Sequence, residues 1–204
     1  LYFEYGKIVK IFVIIGLILF FCLSSCSDKL NSLDDTAIEV TSVNGEEISF
    51  SKKLTNNSDI FNIASSGLGD IRYLDIRVSR DGVLLGKLSD ELDGVIYKTM
   101  KTDLNNNSKP EILLLLLPNV TENKLLITGY EFDGKVFKRF DLPDLSEDLY
   151  FGYQGKDHIY VSKSKLVREF PINIADGNPG KKRRIFYKLN KELNFILDNH
   201  EDFR

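Results

Sequence analysis

Tryptophan is absent from this 204-residue chain, cysteine and histidine occur only twice each, and there are five prolines and one methionine. Each shortage closes off some chemistry. Cys22 and Cys26 both lie near the N-terminus, so the rest of the chain has no disulfide, no thiol nucleophile and no cysteine-bound metal. His158 opens a strand beside Asp157, and His200 sits in the acidic tail His200-Glu201-Asp202. Neither has a triad partner or a metal-ligand spacing, and both read as surface histidines. Charge of one sign is lacking too: 27 Lys+Arg against 30 Asp+Glu leave a net charge of −3. Nucleic acid needs a strongly basic face and is therefore not an expected partner. The carboxylate pairs Glu46-Glu47 and Asp90-Glu91 flank turns, where solvated charge is ordinary. Nothing supplies a nucleophile, an oriented base and an oxyanion site together, so neither catalysis nor a cofactor is expected.

What is present begins with an address. Lys7 and Lys10 form a basic segment, and Ile11 to Leu23 is an apolar run. The run is shorter than the roughly 20 residues a bilayer span requires and has signal-peptide proportions. It ends in Leu23-Ser24-Ser25-Cys26, which looks like a bacterial lipobox, in which the cysteine sulfur carries a diacylglycerol. A plain secretory signal, or an anchor with an incidental cysteine, is the competing reading. The expected organisation is a lipoprotein signal over residues 1–25, the lipidated Cys26 with a polar tether through residue 36, and one domain over residues 37–204. The protein is expected in the bacterial envelope, held to a membrane through its lipid and facing the periplasm or the cell surface.

The domain is organised around Asp103 to Glu111, a turn-rich loop that feeds Ile112 and the leucines Leu113 to Leu117. Pro110 and Pro118 bracket this apolar run, so it is too short for an ordinary helix. It reads as a strand buried on both faces, at the centre of the domain. Around it lie short alternating segments. Ala37–Val43 and Glu46–Leu54 flank Asn44-Gly45, and Ile71–Ser79 turns through Arg80-Asp81-Gly82 into Val83–Lys87. Val95–Thr102, Lys124–Phe132 and Lys135–Phe140 follow, the last two joined by Asp133-Gly134. His158–Ser162, Lys165–Asn173, Lys182–Leu189 and Leu193–Asn199 complete the set, while Asn56–Asp70 and Leu142–Lys156 read as connections. The 14 Phe and 9 Tyr suit strands. Turn signals every 8 to 12 residues or so and no amphipathic helix predict an all-β fold, an antiparallel β-sandwich of about 8–10 short strands.

Several segments also line up, in order, with one family. Asp93-Gly94-Val95, the loop Asp103 to Glu111 and Leu142-Pro143-Asp144-Leu145 come first. Gly152-Tyr153-Gln154-Gly155-Lys156-Asp157 and Leu166-Val167-Arg168-Glu169-Phe170-Pro171 follow, then Asp176-Gly177-Asn178-Pro179-Gly180 and Tyr187-Lys188-Leu189. This series, spread over about Ile71 to Leu197, resembles the periplasmic inhibitors of invertebrate-type lysozyme. The resemblance implies a β-sandwich, often a homodimer, that blocks another protein's active-site cleft with a loop after the central strand. In that family the loop carries a Ser-Gly-x-x-Tyr segment whose hydroxyls engage the catalytic carboxylates. Here the equivalent residues are Pro118 to Lys124, with neither Gly nor Tyr. The expected partner-binding residues are Asn119, Thr121, Glu122, Asn123 and Lys124, Thr121 offering a hydroxyl and Lys124 a cation.

Three further features carry expectations. Asp103, Asn105, Asn107 and Glu111 occupy positions 1, 3, 5 and 9 of a loop that resembles the calcium loops of dockerins and integrin-type repeats. Two of the usual aspartates are asparagines and Ser108 replaces the turn glycine, so the competing expectation is a turn whose side chains bond their own backbone. Lys181-Lys182-Arg183-Arg184 is the one basic run. In a strand its side chains alternate between faces, and it reads either as an anionic contact or as charged protection of a sheet edge. Leu149, Tyr150, Phe151 and Tyr153 form an aromatic loop that either caps the core or anchors a partner.

Overall fold

A computed structural model describes residues 42–43, 46–67, 71–118, 124–173 and 180–204. The signal, Cys26, the tether, the Asn44-Gly45 turn, residues 119–123 of the contact loop and residues 174–179 lie outside the described residues. Residues Thr36–Arg204 form one compact unit.

The fold is an all-β antiparallel sandwich. Among the described residues, strands β1 (Ser42–Val43), β2 (Glu46–Asn56), β3 (Asp59–Ser66), β4 (Ile71–Arg80) and β5 (Val83–Asp93) form the first sheet, in that order. Strands β6 (Val95–Thr102), β7 (Glu111–Leu117), β8 (Leu126–Phe132) and β9 (Phe137–Asp141) form the second. Strands β10 (His158–Ser162), β11 (Lys165–Pro171), β12 (Lys182–Leu189) and β13 (Phe195–Phe203) form the third. Every sheet is an up-and-down meander, so each strand pairs with its neighbour in sequence.

The second sheet is the middle layer of three. The alternation of a strand sends successive side chains to opposite faces, and β7 is apolar on both. Ile112, Leu114 and Leu116 meet Phe61, Ile63, Leu74, Ile76 and Val78 of the first sheet, joined by Tyr130 and Phe132 from β8. Leu113 and Leu115 face the other way, onto Leu166, Phe170, Ile185 and Tyr187 of the third sheet. All five of these β7 residues are buried, and each contributes on the order of 1.5–3 kcal/mol of burial free energy. One strand thus belongs to two cores, which is why its sequence has lost the polar-apolar alternation of a one-sided strand.

Two glycines make the layers fit. Gly129 sits on β8 opposite Phe140, where a Cβ would fall 2.3 Å from that ring. Gly94, between β5 and β6, has φ of 138°, and a Cβ there would meet the Leu117 carbonyl oxygen at 2.5 Å. It lets the chain pass from the first sheet to the second without a loop.

Two expected connections prove to hold regular structure. Asn56–Asp70 contains the eight-residue strand β3. Its Ser65, Ser66 and Gly67 are buried, not solvated, so small polar residues there mark close packing. Within Leu142–Lys156 a single helical turn, α1 (Glu147–Tyr150), buries Leu149. The described residues hold thirteen strands, among them β3 where a connection was expected, and β5 runs on to Asp93. The turns at Asp81-Gly82, Asp133-Gly134 and Lys163-Ser164 fall where their residues require.

Candidate functional site

The loop from Asp103 to Glu111 is closed by its own polar groups. Glu111 begins β7 fully buried, and its Oε2 accepts from Thr102 Oγ1 at 2.8 Å and the Leu104 N–H at 2.9 Å. The Asn105 N–H donates to Oε1 at 3.4 Å. Burial pushes the Glu111 carboxyl up and nearby Asp103 adds to this, outweighing the hydrogen bonds that favour the charged form. Directly opposite on β8 lies Glu131, also buried. Its Oε2 accepts from Asn105 Nδ2 at 3.0 Å and Asn107 Nδ2 at 2.7 Å. The remaining loop oxygens turn inward as well. Asp103 accepts from the N–H groups of Asn107 and Ser108, at 3.0 and 3.1 Å. Asn105 Oδ1 accepts from the Asn107 N–H at 3.1 Å and Asn107 Oδ1 from the Lys109 N–H at 2.8 Å. Asn106 and Ser108 take positive φ values of 53° and 65°, the conformation expected where a turn glycine has been replaced.

The oxygens that would serve a hard cation are thus engaged by the loop's own donors. Two asparagine amides direct N–H groups at Glu131, where aspartates would instead add charge for a cation. Among the described residues no group of three or more His, Cys, Asp or Glu is disposed to hold a metal. Of the two expectations for this loop, the self-bonded turn describes the geometry.

A second buried knot joins the boxes that carry the family resemblance. Asp157 accepts from Arg168 through two bonds, Nε to Oδ1 at 2.6 Å and Nη2 to Oδ2 at 3.1 Å. The Tyr153 hydroxyl and the Leu125 N–H donate to Oδ2 as well. Both charged side chains are almost completely withdrawn from solvent. Arg168 lies 5.7 Å from the ring centroids of Tyr153 and Phe170. Burial pulls the guanidinium down, but the hydrogen bonds and charge of Asp157 outweigh it and hold it above its ordinary value. Burial and Asp157 together push the Tyr153 hydroxyl up. The Gly152–Asp157 box and the Leu166–Pro171 strand therefore meet at one ion pair, with the aromatic Tyr153 as its wall.

Of the expected contact loop, Lys124 alone falls among the described residues, and its ammonium pairs with Asp144. Pro118 and Lys124 mark the two ends of the loop, which connects β7 to β8. Beside its base Leu117 ends β7 exposed, and Tyr97 is exposed on β6 where a bulge interrupts the pairing between Ile96 and Lys98.

The basic run alternates as expected, with consequences for its role. Arg183 points inward, where Nη1 donates to the carbonyls of Asp148, Leu149 and Phe151 and the guanidinium also binds Asp202. It closes the C-terminal end of α1. Arg184 points outward into a ladder with Glu169 and Glu201 and stacks 4.2 Å from the Phe203 ring centroid. In the aromatic loop Leu149 and Tyr153 join the core, while Tyr150 and Phe151 are exposed. The loop thus caps the core through Leu149 and Tyr153 and leaves Tyr150 and Phe151 at the surface.

Sequence reasoning passed over Glu131 and singled out Arg168 only as part of a motif. Arg168 had a signal: it shares strand parity with Leu166 and Phe170, which places it on the buried face. Glu131 had a weaker one, since only a strand covered on both sides buries the residue between Tyr130 and Phe132. No protein-family model matches the chain, and no curated protein matches it.

Proposed function

We propose that this chain is an envelope lipoprotein, lipidated at Cys26, whose β scaffold binds a cell-wall hydrolase of the lysozyme type and obstructs its cleft with the β7–β8 loop. It acts by contact and performs no chemistry of its own. The observation that carries this is the knot of Tyr153, Asp157 and Arg168. Two boxes of the resemblance fold against each other into one buried ion pair, which supports a shared scaffold where the overall sequence has diverged. The loop's position supports it too, because it leaves the end of the strand anchored in both cores. A rigid stem lowers the ordering cost of an inserted loop.

One observation favours a second role, an envelope binding protein of the same fold without lysozyme inhibition. Lys124, the cation assigned to the target's carboxylates, is held by Asp144 of this chain. Adding the purified full chain to an invertebrate-type lysozyme and following cell-wall lysis separates the two. Inhibition at micromolar protein is the expected result. Undiminished lysis excludes this target and leaves the binding role, for which capture from envelope extracts identifies the partner.

A further inference from the structure

Two lysines beside one end of the third sheet stand outside the ion pairs among the described residues. A depression at its edge is lined by Lys156, His158, Glu169, Phe170, Pro171 and Lys182. The basic run supplies only one of these, because Arg183 and Arg184 are paired within the chain, with Asp202 and with Glu169 and Glu201. Lys182 is the next residue outward, exposed and opposite Pro171 in the β11–β12 register. Lys156 reaches the same depression from the Gly152–Asp157 box, where a φ of 60° turns the chain just before β10. His158 follows two residues later, exposed and stacked 5.2 Å from the Tyr160 ring. Among the described residues neither Lys156 nor Lys182 has an ion-pair partner. The one carboxylate in the lining, Glu169, is taken by Arg184 and the Tyr160 hydroxyl. These bonds outweigh its burial and hold it below the usual carboxylate range.

From this arrangement we propose that the depression between Lys156, His158 and Lys182 binds a phosphate group. Among the described residues, two lysines without ion-pair partners and an exposed histidine line one concavity, in a chain whose net charge is −3. That local excess suits the negative charge of a phosphate group, about −1.5 to −2 on a monoester and a single charge on a diester headgroup. Lysine serves such sites as a mobile point charge. Pro171 and Phe170 form an apolar wall beside the cations, so the phosphate can belong to a soluble ester or to a lipid headgroup. The proposal stands independently of lysozyme inhibition, since it uses neither the β7–β8 loop nor the hydrolase.

The test uses the full chain in an uncharged detergent, titrated calorimetrically with inorganic phosphate and, separately, with phosphatidylglycerol or phosphatidylcholine added to the micelles. The wild-type chain is expected to bind phosphate or phosphatidylglycerol in preference to phosphatidylcholine. The double variant Lys156→Glu/Lys182→Glu is expected to lose affinity by tenfold or more, about the value of one charge-assisted contact. Lys191→Glu, on the β12–β13 turn, leaves binding unchanged and controls for a charge reversal elsewhere on the surface. All three positions are exposed, and thermal melts confirm that the variants fold. Binding of inorganic phosphate identifies a soluble ester as sufficient, whereas binding of phosphatidylglycerol alone assigns the site to a headgroup. No binding of either anion at millimolar concentration overturns the proposal, as does binding that survives the double reversal.

Discussion

Two of the places where the molecule buries carboxylate groups stabilise them by different means. At Asp157 the negative charge meets a guanidinium at 2.6 Å, inside a box of aromatic and aliphatic side chains. At Glu111 and Glu131 two carboxylates stand opposite each other on neighbouring strands, held by backbone N–H groups and asparagine amides. Among the described residues no cation pairs with either of them. The first arrangement balances charge against charge. The second spreads the load over neutral donors, and burial favours the protonated form of Glu111. Asp103 adds to that effect of burial, while the hydrogen bonds from Leu104, Thr102 and Asn105 oppose it. The contrast teaches that two equally buried acids in one fold can depend on quite different conditions.

Removing the cation from the first knot gives the largest expected effect. Arg168→Met leaves Asp157 buried with only Tyr153 and one backbone N–H, and an uncompensated buried charge costs about 3–5 kcal/mol. Chemical denaturation should show that loss directly. The double variant Arg168→Met/Asp157→Leu should regain most of it, because an apolar pair of similar volume often replaces a buried ion pair at little cost. A double variant as unstable as the single would mean that the ion pair contributes packing or specificity that its charges alone do not explain.

How far these knots could be read from the sequence follows the same division. The central strand was legible because Pro110 and Pro118 limit its length and five consecutive leucines leave no polar face. The buried arginine was legible in principle from its parity with Leu166 and Phe170. The Glu131 partnership was not, because it arises only when the Asp103–Glu111 loop folds over the end of β8, a contact between residues 24 and 26 positions apart. Strand β3 was hidden for a local reason. Its inward-facing Phe61 and Ile63 are followed by Ser65, and small polar residues next to Gly67 resemble a turn. The stacking of three layers was implicit in β7, whose two apolar faces each require a sheet, but nothing in the periodicity identifies which strands supply them.

An intermediate effect sharpens the comparison through pH. The Glu111 carboxyl is raised in the folded state, so the folded protein holds that proton to higher pH than the unfolded chain. Its stabilising contribution is complete below the unfolded value near 4.5 and is lost as pH rises through the folded value. Between those limits the loss approaches about 1.4 kcal/mol per pH unit. Asp90 and Glu169 act in the opposite sense. Burial opposes their charge, but hydrogen bonds from Tyr130 and Arg139, and from Tyr160 and Arg184, hold them low. Their contribution is lost as pH falls through the folded values. Wild-type stability should therefore peak at mildly acidic pH. Glu111→Gln should flatten the decline on the alkaline side of the peak and leave the acid side unchanged. Thermal melts across pH 4 to 8 or so report both limbs, and an unaltered alkaline limb in the variant would assign that decline to another group.

The smallest effect belongs to a charged contact at the surface, Lys124 with Asp144, which is the solvent-exposed counterpart of the Asp157 pair. Asp144 is 75% exposed, and an ion pair in such surroundings contributes less than about 1 kcal/mol, most of it screened by salt. Lys124→Ala should therefore leave the melting curve nearly unchanged, in contrast to Arg168→Met. Its value lies in what else moves. Lys124 closes the β7–β8 loop at the mouth of β8, so if that loop enters a hydrolase cleft, the variant should weaken inhibition while stability stays constant. Asp144→Ala makes the complementary change, releasing the ammonium without removing it. If the released cation engages the target's carboxylates, Asp144→Ala strengthens inhibition where Lys124→Ala weakens it. If both variants inhibit like the wild type, Lys124 does no more than join the loop to Leu142–Leu145, and the contact must be made by the residues between Pro118 and Lys124.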